Sequence, residues 1–270
     1  MRCGEVNVKI LVCAKRVPDI SENEIVLNSA GDDIERDELV YSINEPDNYA
    51  VEEALQIAAR TGGEVTVVTI GGEDDEEILR REMAMGANHG ALITEPAFAG
   101  SDGQGIATIL KAFVHKGDYD LILTGVQADD GAAQVGGMLA AMLDYPFASL
   151  VNSIEVLEGR KLRISREIEG GNKELSEIDL PCVLSIQTGI NEPRYVGMRG
   201  IRAVASVPIP TYGAPELGLD VSAVGTNAAK VNRRDYFVPA LGGGAEMLKG
   251  NREENIERLL ELLAAKGGVR

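Results

Sequence analysis

The chain has 270 residues, of which 26 are basic and 43 acidic, and its formal net charge is -17. This charge argues against a partner that is nucleic acid or an anionic membrane surface, because both are bound through an excess of Lys and Arg. The length allows one large domain or two small ones with a full hydrophobic core, and no apolar run approaches the ~18 residues that span a bilayer.

The first predicted element is a buried strand, Val8–Ala14. It leads straight into Lys15 and Arg16 and is too short for the apolar region of a signal peptide, so we expect a cytoplasmic protein. Residues 15–47 then form a long polar connection. Within it, Glu24–Leu27 and Glu38–Ile43 could pair as a short hairpin around Gly31.

Strands and helices alternate over the next hundred residues. The predicted helices are Asn48–Arg60, stopped by Gly62 and Gly63, then Asp74 to about Gly86, a helix with Ile106, Ile109, Leu110 and Phe113 on one face, and Gln134–Leu143. The predicted strands between them are Glu64–Ile70, Ala91–Thr94 and Asp120–Thr124. This alternation predicts an α/β fold, with a Rossmann-like parallel sheet flanked by helices on both faces.

The pattern changes after Pro146. Ser153–Glu158 and Lys161–Ile168 predict a β-hairpin, and Pro181–Gln187 predicts another buried strand. Residues 191–251 show little periodicity, and Asn251–Lys266 predicts an amphipathic helix with Ile256, Leu259, Leu260 and Leu263 in register. We expect an α/β nucleotide-binding domain over residues 1–190, and over 191–270 an extended C-terminal arm that orders on a partner chain.

The composition leaves little chemistry to the side chains themselves. Cys3, Cys13 and Cys182 are far apart and form no metal-binding spacing, so we expect no metal site and interpret Cys13 and Cys182 as buried hydrophobic residues. His89 and His115 have no nucleophile or paired carboxylate nearby in sequence and are interpreted as structural or solvated. We therefore predict no catalytic residue, and any redox chemistry would need a bound cofactor.

Three segments follow the carboxyl ends of predicted strands, where ligands bind in open parallel sheets: Ala14–Pro18, Ile70–Gly72 and Thr124–Gly137. The third is rich in glycine and runs into a helix N-terminus, an arrangement that suits a phosphate. Asp129 and Asp130 would repel a phosphate, so they fit ribose hydroxyls or a helix cap better. The segment has neither a Walker A nor a GxGxxG pattern and no lysine nearby in sequence, so it predicts either a nucleotide site without triphosphate hydrolysis or an ordinary glycine-rich turn.

Taken together, these segments resemble the beta subunit of the electron-transferring flavoproteins over nearly the whole chain. The motifs that carry the resemblance are VKILVCAKRVPD (8–19), NEPDNYAVEEAL (44–55), EMAMGANHG (82–90), GVQADDGAAQVG (125–136), REIEGG (166–171) and NEPRY (191–195). NEPRY is the most specific of them, because nothing in general fold physics requires that string after a strand.

The resemblance implies a heterodimer with an alpha subunit that carries most of the FAD site, while this chain holds AMP or, in electron-bifurcating members, a second FAD. The implied nucleotide-binding residues are Ala14, Asn44, Glu45, Pro46, Asp47, Ile70, Val126, Gln127, Ala128, Asp129, Asp130, Gly131, Ala132, Ala133, Gln134, Val135 and Gly136. Residues 133–136 are similar to the bifurcating members, whereas REIEGG is similar to the simple carriers.

The resemblance also implies a recognition loop, roughly Ile186 to Pro208, that docks on acyl-CoA dehydrogenases through Arg194, Tyr195 and Met198. Met198 falls where the family places an apolar residue that plugs into the dehydrogenase; the alternative is a plain surface or core Met. Glu167 would lie near the flavin side of the partner, or is an ordinary exposed hairpin residue.

The sequence leaves three functions open. The favoured one is an electron carrier, not an enzyme, that takes electrons from a flavin dehydrogenase onto a shared FAD and passes them to a quinone-linked acceptor. The second is a subunit of a bifurcating, NADH-oxidising complex with a second FAD. The third is a stand-alone adenine-nucleotide-binding sensor, which would be a stable monomer.

Overall fold

The computed structural model describes residues 7–234, 236–240, 244–245 and 247–268. It divides into two compact units: residues up to 26 together with 35–234, and residues 27–34 together with those from 235 onward. Among the described residues, no helix has the length and apolar character needed to cross a membrane.

The first unit is built on a large, mostly parallel sheet. Its strands are β1 (Lys9–Cys13), β4 (Glu64–Ile70), β5 (His89–Ile93), β6 (Leu121–Gly125), β7 (Phe147–Leu157), β8 (Lys161–Ile168), β9 (Asn172–Asp179), β10 (Cys182–Ile186) and β11 (Thr211–Tyr212), while β2 (Arg16–Pro18) and β3 (Tyr41–Ile43) form a separate antiparallel pair. The strand order is β11-β5-β4-β1-β6-β10-β7-β8-β9. Strands β11 to β7 in this order pair in parallel, and β8 and β9 continue the sheet as an antiparallel extension.

Helices cover both faces of this sheet. They are α1 (Glu45–Thr61), α2 (Glu76–Met85), α3 (Gly103–Val114), α4 (Val135–Leu143), α5 (Met198–Val204) and α6 (Ala214–Leu217). The sequence of β1 is continuously apolar because both of its faces are buried. Ile10 and Val12 join the core on one face of the sheet, and Leu11 joins the core on the other. The predicted Rossmann-like α/β fold is therefore confirmed.

The predicted helix faces are also confirmed. Val51, Leu55 and Ala58 of α1 are buried, as are Ile109 and Phe113 of α3. Helix α1 begins earlier than predicted because Pro46 occupies its first turn, where the missing N–H has no partner to lose. It ends at Gly62, which has the left-handed conformation that glycine adopts at helix ends.

One local prediction was wrong and two were incomplete. The strand Tyr41–Ile43 pairs with Arg16–Pro18 and not with residues 24–27, of which only Leu27 makes an isolated bridge, to Ile34. The hairpin after Pro146 is extended by a third strand, β9, whose largely exposed, charged residues gave no strand periodicity. Residues 191–217 also contain α5, β11 and α6, which are too short to produce a periodic pattern.

The second unit contains the helix α7, Arg252–Ala265, close to the predicted 251–266. Asn251 caps it by accepting hydrogen bonds from the N–H groups of Glu253 and Glu254. The four apolar residues predicted to share one face are between 39% and 51% exposed; they are Ile256, Leu259, Leu260 and Leu263. The amphipathic pattern is therefore present, and among the described residues its apolar side is partly exposed.

Candidate functional site

The order of the strands reverses between β1 and β6. From β1 the chain crosses to β4 and then β5 on one side, whereas β6, β10 and β7 lie on the other side. At such a switch point the loops after the two central strands turn away from each other and leave a crevice at the carboxyl ends of the strands. Ala14 and Lys15 follow β1 here, and Val126 follows β6, so the predicted segments after these strands meet at one edge of the sheet.

A buried carboxylate from α1 joins the two loops. Asp47 accepts a hydrogen bond from the Lys15 N–H at 2.9 Å through Oδ2 and one from the Gly125 N–H at 2.8 Å through Oδ1. Burial raises the pKa of Asp47 to about 7, against the lowering effect of its hydrogen bonds. A Cβ on Gly125 would lie 2.3 Å from Asp47 Oδ1, so only glycine allows this approach.

The loop after β6 is held by further polar contacts. The buried side chain of Asn44 donates from Nδ2 to the carbonyl oxygen of Gln127 at 3.1 Å. Gln127 in turn donates from Nε2 to the Gly131 carbonyl at 3.0 Å, and the Gly131 N–H donates to the Ala128 carbonyl at 2.9 Å. The NEPD motif and the glycine-rich loop, which are far apart in sequence, therefore form one structure.

The loop leads into the N-terminus of α4. The preceding Gln134 makes no side-chain cap, and the first turn of α4 contains no acidic residue. The first N–H groups of a helix have no partner within the helix, so this end offers donors and a positive partial charge. A Cβ on Gly136 would lie 2.5 Å from Ser185 Oγ and 2.9 Å from Thr124 Oγ1, which requires glycine where the helix crosses the sheet edge.

Two basic side chains meet the loop at Asp130. Lys15 Nζ forms an ion pair with Oδ1, and Arg233 Nη2 lies 3.5 Å from Oδ2 and donates to the Asp130 carbonyl at 3.1 Å. Partial burial favours a higher pKa for Asp130, but the two cations, above all Lys15, hold it below its usual value. No lysine lies near the loop in sequence, but Lys15 reaches it from the end of the neighbouring strand β1, and Asp130 faces these cations and does not cap α4.

The third strand end belongs to β4. Ile70 closes this strand, and the Gly72 N–H after it donates to Asp75 Oδ2 at 2.7 Å. A Cβ on Gly71 would lie 1.9 Å from the same oxygen, so the tight turn depends on glycine. Arg16 Nη1 approaches Asp75 Oδ1 at 3.9 Å, which places the segments after β1 and β4 side by side.

The predicted nucleotide-binding residues thus gather at one edge, with Glu45 and the loop residues Asp129 and Gly131 to Gln134 exposed around it. Glu167 lies elsewhere: it is exposed on β8 opposite Lys173 of β9, and two strands separate β8 from β6. A cavity of about 350 Å³ lies at the opposite, amino end of the sheet, around His89 and Tyr119, and contains none of the predicted nucleotide residues.

The predicted docking residues follow β10. Tyr195 is 93% exposed and Met198, the first residue of α5, is 64% exposed. Arg194 is half-exposed, and its guanidinium binds the buried carboxylate of Glu52 on α1. Glu52 is a partner that the sequence analysis missed, since nothing in the spacing of the two residues links them.

The cysteines and histidines lie apart from this edge or are not reactive. Burial raises the pKa of the Cys182 thiol to about 12 and also raises that of Cys13, so both stay protonated at neutral pH. His89 is exposed, 3.9 Å from Glu64, and His115 ends α3. Within the part of the chain that the structure describes, no group of His, Cys, Asp and Glu side chains is arranged to hold a metal ion.

Comparison with known proteins gives a consistent result. The family described as "Electron transfer flavoprotein domain" matches residues 33–217. The electron transfer flavoprotein subunit beta of Methylophilus methylotrophus is 34% identical over 95% of this chain and 98% of its own length, and that of Bacillus subtilis is 31% identical over 97% and 100%. The caffeyl-CoA reductase-Etf complex subunit CarD of Acetobacterium woodii is 36% identical over 90% and 92%.

Proposed function

This chain belongs to the electron transfer flavoprotein family, whose members are electron carriers, and from that premise we propose that it is the beta subunit of a heterodimeric carrier. An acyl-CoA type flavin dehydrogenase reduces an FAD shared with the alpha subunit, and a quinone-linked acceptor reoxidises it. The flavin supplies the redox chemistry. This chain supplies the scaffold, an AMP site and a docking surface.

The observation that carries the nucleotide site is the meeting of the β1 and β6 ends at Asp47, with the end of β4 beside that of β1. The glycines there leave room for close backbone approach, and the N-terminus of α4 offers backbone donors that Gln134 does not cap. Asn44 and Asp47 hold the loop through hydrogen bonds to its backbone, while Lys15 and Arg233 place positive charge next to it. These features fit an adenosine monophosphate: the loop backbone and the helix end hold the phosphate, and the exposed carboxylate of Asp129 meets ribose hydroxyls.

Two exposed apolar surfaces support the proposed partners. Tyr195, Met198 and Ile201 present side chains that are 93%, 64% and 43% exposed on one short segment, which suits contact with a dehydrogenase. The partly exposed apolar side of α7, in the second unit, suits burial against the alpha subunit. Glu167, exposed on β8, is proposed to face the shared flavin.

A second candidate is a bifurcating complex in which residues 126–136 hold a second FAD in place of AMP. It is favoured by the similarity to a relative named as part of a caffeyl-CoA reductase-Etf complex. It is also compatible with the exposure of residues 131–134 on one side of the site.

Nucleotide content separates these candidates. The chain is co-purified with its alpha partner, the complex is denatured, and the released FAD and AMP are quantified by chromatography. One FAD and one AMP per heterodimer are expected for the simple carrier. Two FAD without AMP, together with flavin reduction by NADH, would establish the bifurcating complex, and no bound nucleotide would contradict the proposed role of residues 126–136.

Met198→Asp tests the docking surface. A carboxylate in the centre of an apolar contact is costly to desolvate, so we expect electron transfer from the dehydrogenase to fall by about 100-fold or more while FAD content stays unchanged. The measurement is the rate of flavin reduction by the dehydrogenase and its acyl-CoA substrate. Val221→Asp, at another exposed apolar residue, is the matched control. An unchanged rate in Met198→Asp would contradict the assignment.

A further inference from the structure

The docking segment, defined here as residues 191–208, is held at its start by polar contacts to α1 and at its end by polar contacts to α2. At its start, Asn191 Nδ2 donates to the Tyr49 carbonyl and to Glu53 Oε2, both at 3.1 Å. Arg194 then forms a two-pronged ion pair with Glu52: Nε donates to Oε2 at 2.7 Å, and Nη2 donates to Oε1 at 2.9 Å. The Arg194 backbone N–H also donates to Glu52 Oε2, at 3.2 Å.

The end of the segment is held by a guanidinium of α2. Arg80 Nη1 donates to the carbonyl oxygens of Val204 at 2.8 Å and Val207 at 3.2 Å, and Arg80 Nε donates to Glu76 at 2.7 Å. Between the two ends, a Cβ on Gly200 would lie 3.0 Å from the Ala84 carbonyl, so α5 rests closely on α2. No residue of α5 is buried, so polar contacts at both ends, together with Val196 packed against the core, hold this segment.

Glu52 is suited to this role by its burial. Its side chain is only 5% exposed, and a carboxylate in that setting needs a charged partner with several donors. Burial favours a higher pKa, yet the hydrogen bonds from Arg194 and Gln56 outweigh it and hold the pKa of Glu52 below its usual value. The pair is thus ionised, and a planar guanidinium against a carboxylate fixes orientation as well as position.

We propose that Glu52 and Arg80 are positioning residues that hold the docking segment in a preformed shape, so that a flavin dehydrogenase meets Tyr195 and Met198 already in place. This inference rests on the proposed docking function. A preformed surface lowers the entropy lost on binding, because the segment does not have to order at the moment of contact. Loss of a fastening should therefore weaken capture of the dehydrogenase and leave the electron transfer step within the bound complex unaltered.

The test compares Glu52→Gln and Arg80→Met with wild type and with Glu77→Gln, an exposed α2 residue, all as the heterodimer. The first readout is trypsin cleavage after Arg199 and Arg202, both exposed within the segment. Since proteolysis requires local opening, we expect about tenfold faster cleavage at these sites in the two variants and no change in Glu77→Gln. The second readout is steady-state transfer from the dehydrogenase, where KM should rise roughly tenfold with kcat and nucleotide content unchanged.

Further variants separate the possible failures. The double variant Glu52→Gln/Arg194→Gln should be no worse than the more affected single variant, because both remove one ion pair. Unchanged cleavage in both Glu52→Gln and Arg80→Met would overturn the proposal, as would faster cleavage with an unchanged KM. If Glu52→Gln does not assemble into the heterodimer, the Arg80→Met variant alone tests the proposal. Trypsin cleavage is measured without the dehydrogenase. If Met198→Asp leaves electron transfer from the dehydrogenase unchanged, the docking function is refuted, but the cleavage result still tests whether Glu52 and Arg80 hold the segment.

Discussion

Replacing Asp47 with alanine is expected to remove the bound nucleotide and to lower the free energy of unfolding by about 2–4 kcal/mol. The carboxyl group accepts hydrogen bonds from the backbone N–H groups of Lys15 and Gly125, and both would lose their acceptor. The loops after β1 and β6 would then be free to separate at the switch point. Nucleotide content of the purified complex and its thermal midpoint are the two measurements.

Two variants make this result interpretable. Asp47→Asn keeps one acceptor oxygen, so we expect an intermediate loss of stability, whereas Asp37→Ala removes an exposed carboxylate that is not among the predicted site residues and should change neither measurement. Asp47→Ala with full nucleotide content would contradict the assignment of this edge as the binding site. A nucleotide-free but equally stable variant would instead show that Asp47 contacts the ligand without fastening the loops.

The sequence predicted the features that depend on local periodicity. The continuous apolar run of β1, the faces of α1 and α3, and the glycine-rich loop after β6 each have a pattern within a few residues, and each was found where it was expected. The edge at which the candidate site lies also followed, because parallel strands present their carboxyl ends on one side.

What the sequence missed depends on contacts between distant residues. Lys15 and Arg233 reach Asp130 from two other segments, and Arg194 finds Glu52 on α1. From the sequence alone, charged side chains of this kind are predicted to be solvent-exposed, because their partners are known only once the fold is known. Strand β9 was missed for a related reason, since pairing with β8 and not burial of one face determines it.

Glu82 differs from these charged residues, which found partners, because it is a fully buried acid. The residue is 0% exposed on α2, and within the described part of the chain neither carboxylate oxygen has a hydrogen-bond partner. Burial raises its pKa to about 8; Arg81 acts against this shift, and the negative charges of Asp47 and Glu52 add to it. At neutral pH the side chain is therefore mostly neutral in the native protein and ionised in the unfolded chain.

This difference makes stability depend on pH in a definite direction. Because the native state keeps the proton that the unfolded chain releases near pH 4.5, stability falls as the pH rises from about 4.5 towards 8 and levels off above that. At pH 7 the loss from Glu82 is about 3 kcal/mol, at 1.36 kcal/mol per pKa unit. Asp47 also lowers the free energy of unfolding as the pH rises, and its contribution levels off near pH 7.

Glu82→Met should remove this loss. The thioether fills a similar volume without a group that needs hydration, so we expect the free energy of unfolding at pH 7 to rise by about 2–3 kcal/mol and the thermal midpoint by roughly 5–10 °C. At pH 4.5 the gain should nearly vanish, because the carboxyl is then protonated in the native state and half-protonated in the unfolded chain. Glu82→Gln, with a buried amide, should fall between the two. The measurement is thermal unfolding of the complex across this pH range, with Glu77→Met as the exposed control; an equal shift at both pH values would mean that packing, and not the cost of ionisation, separates the variants.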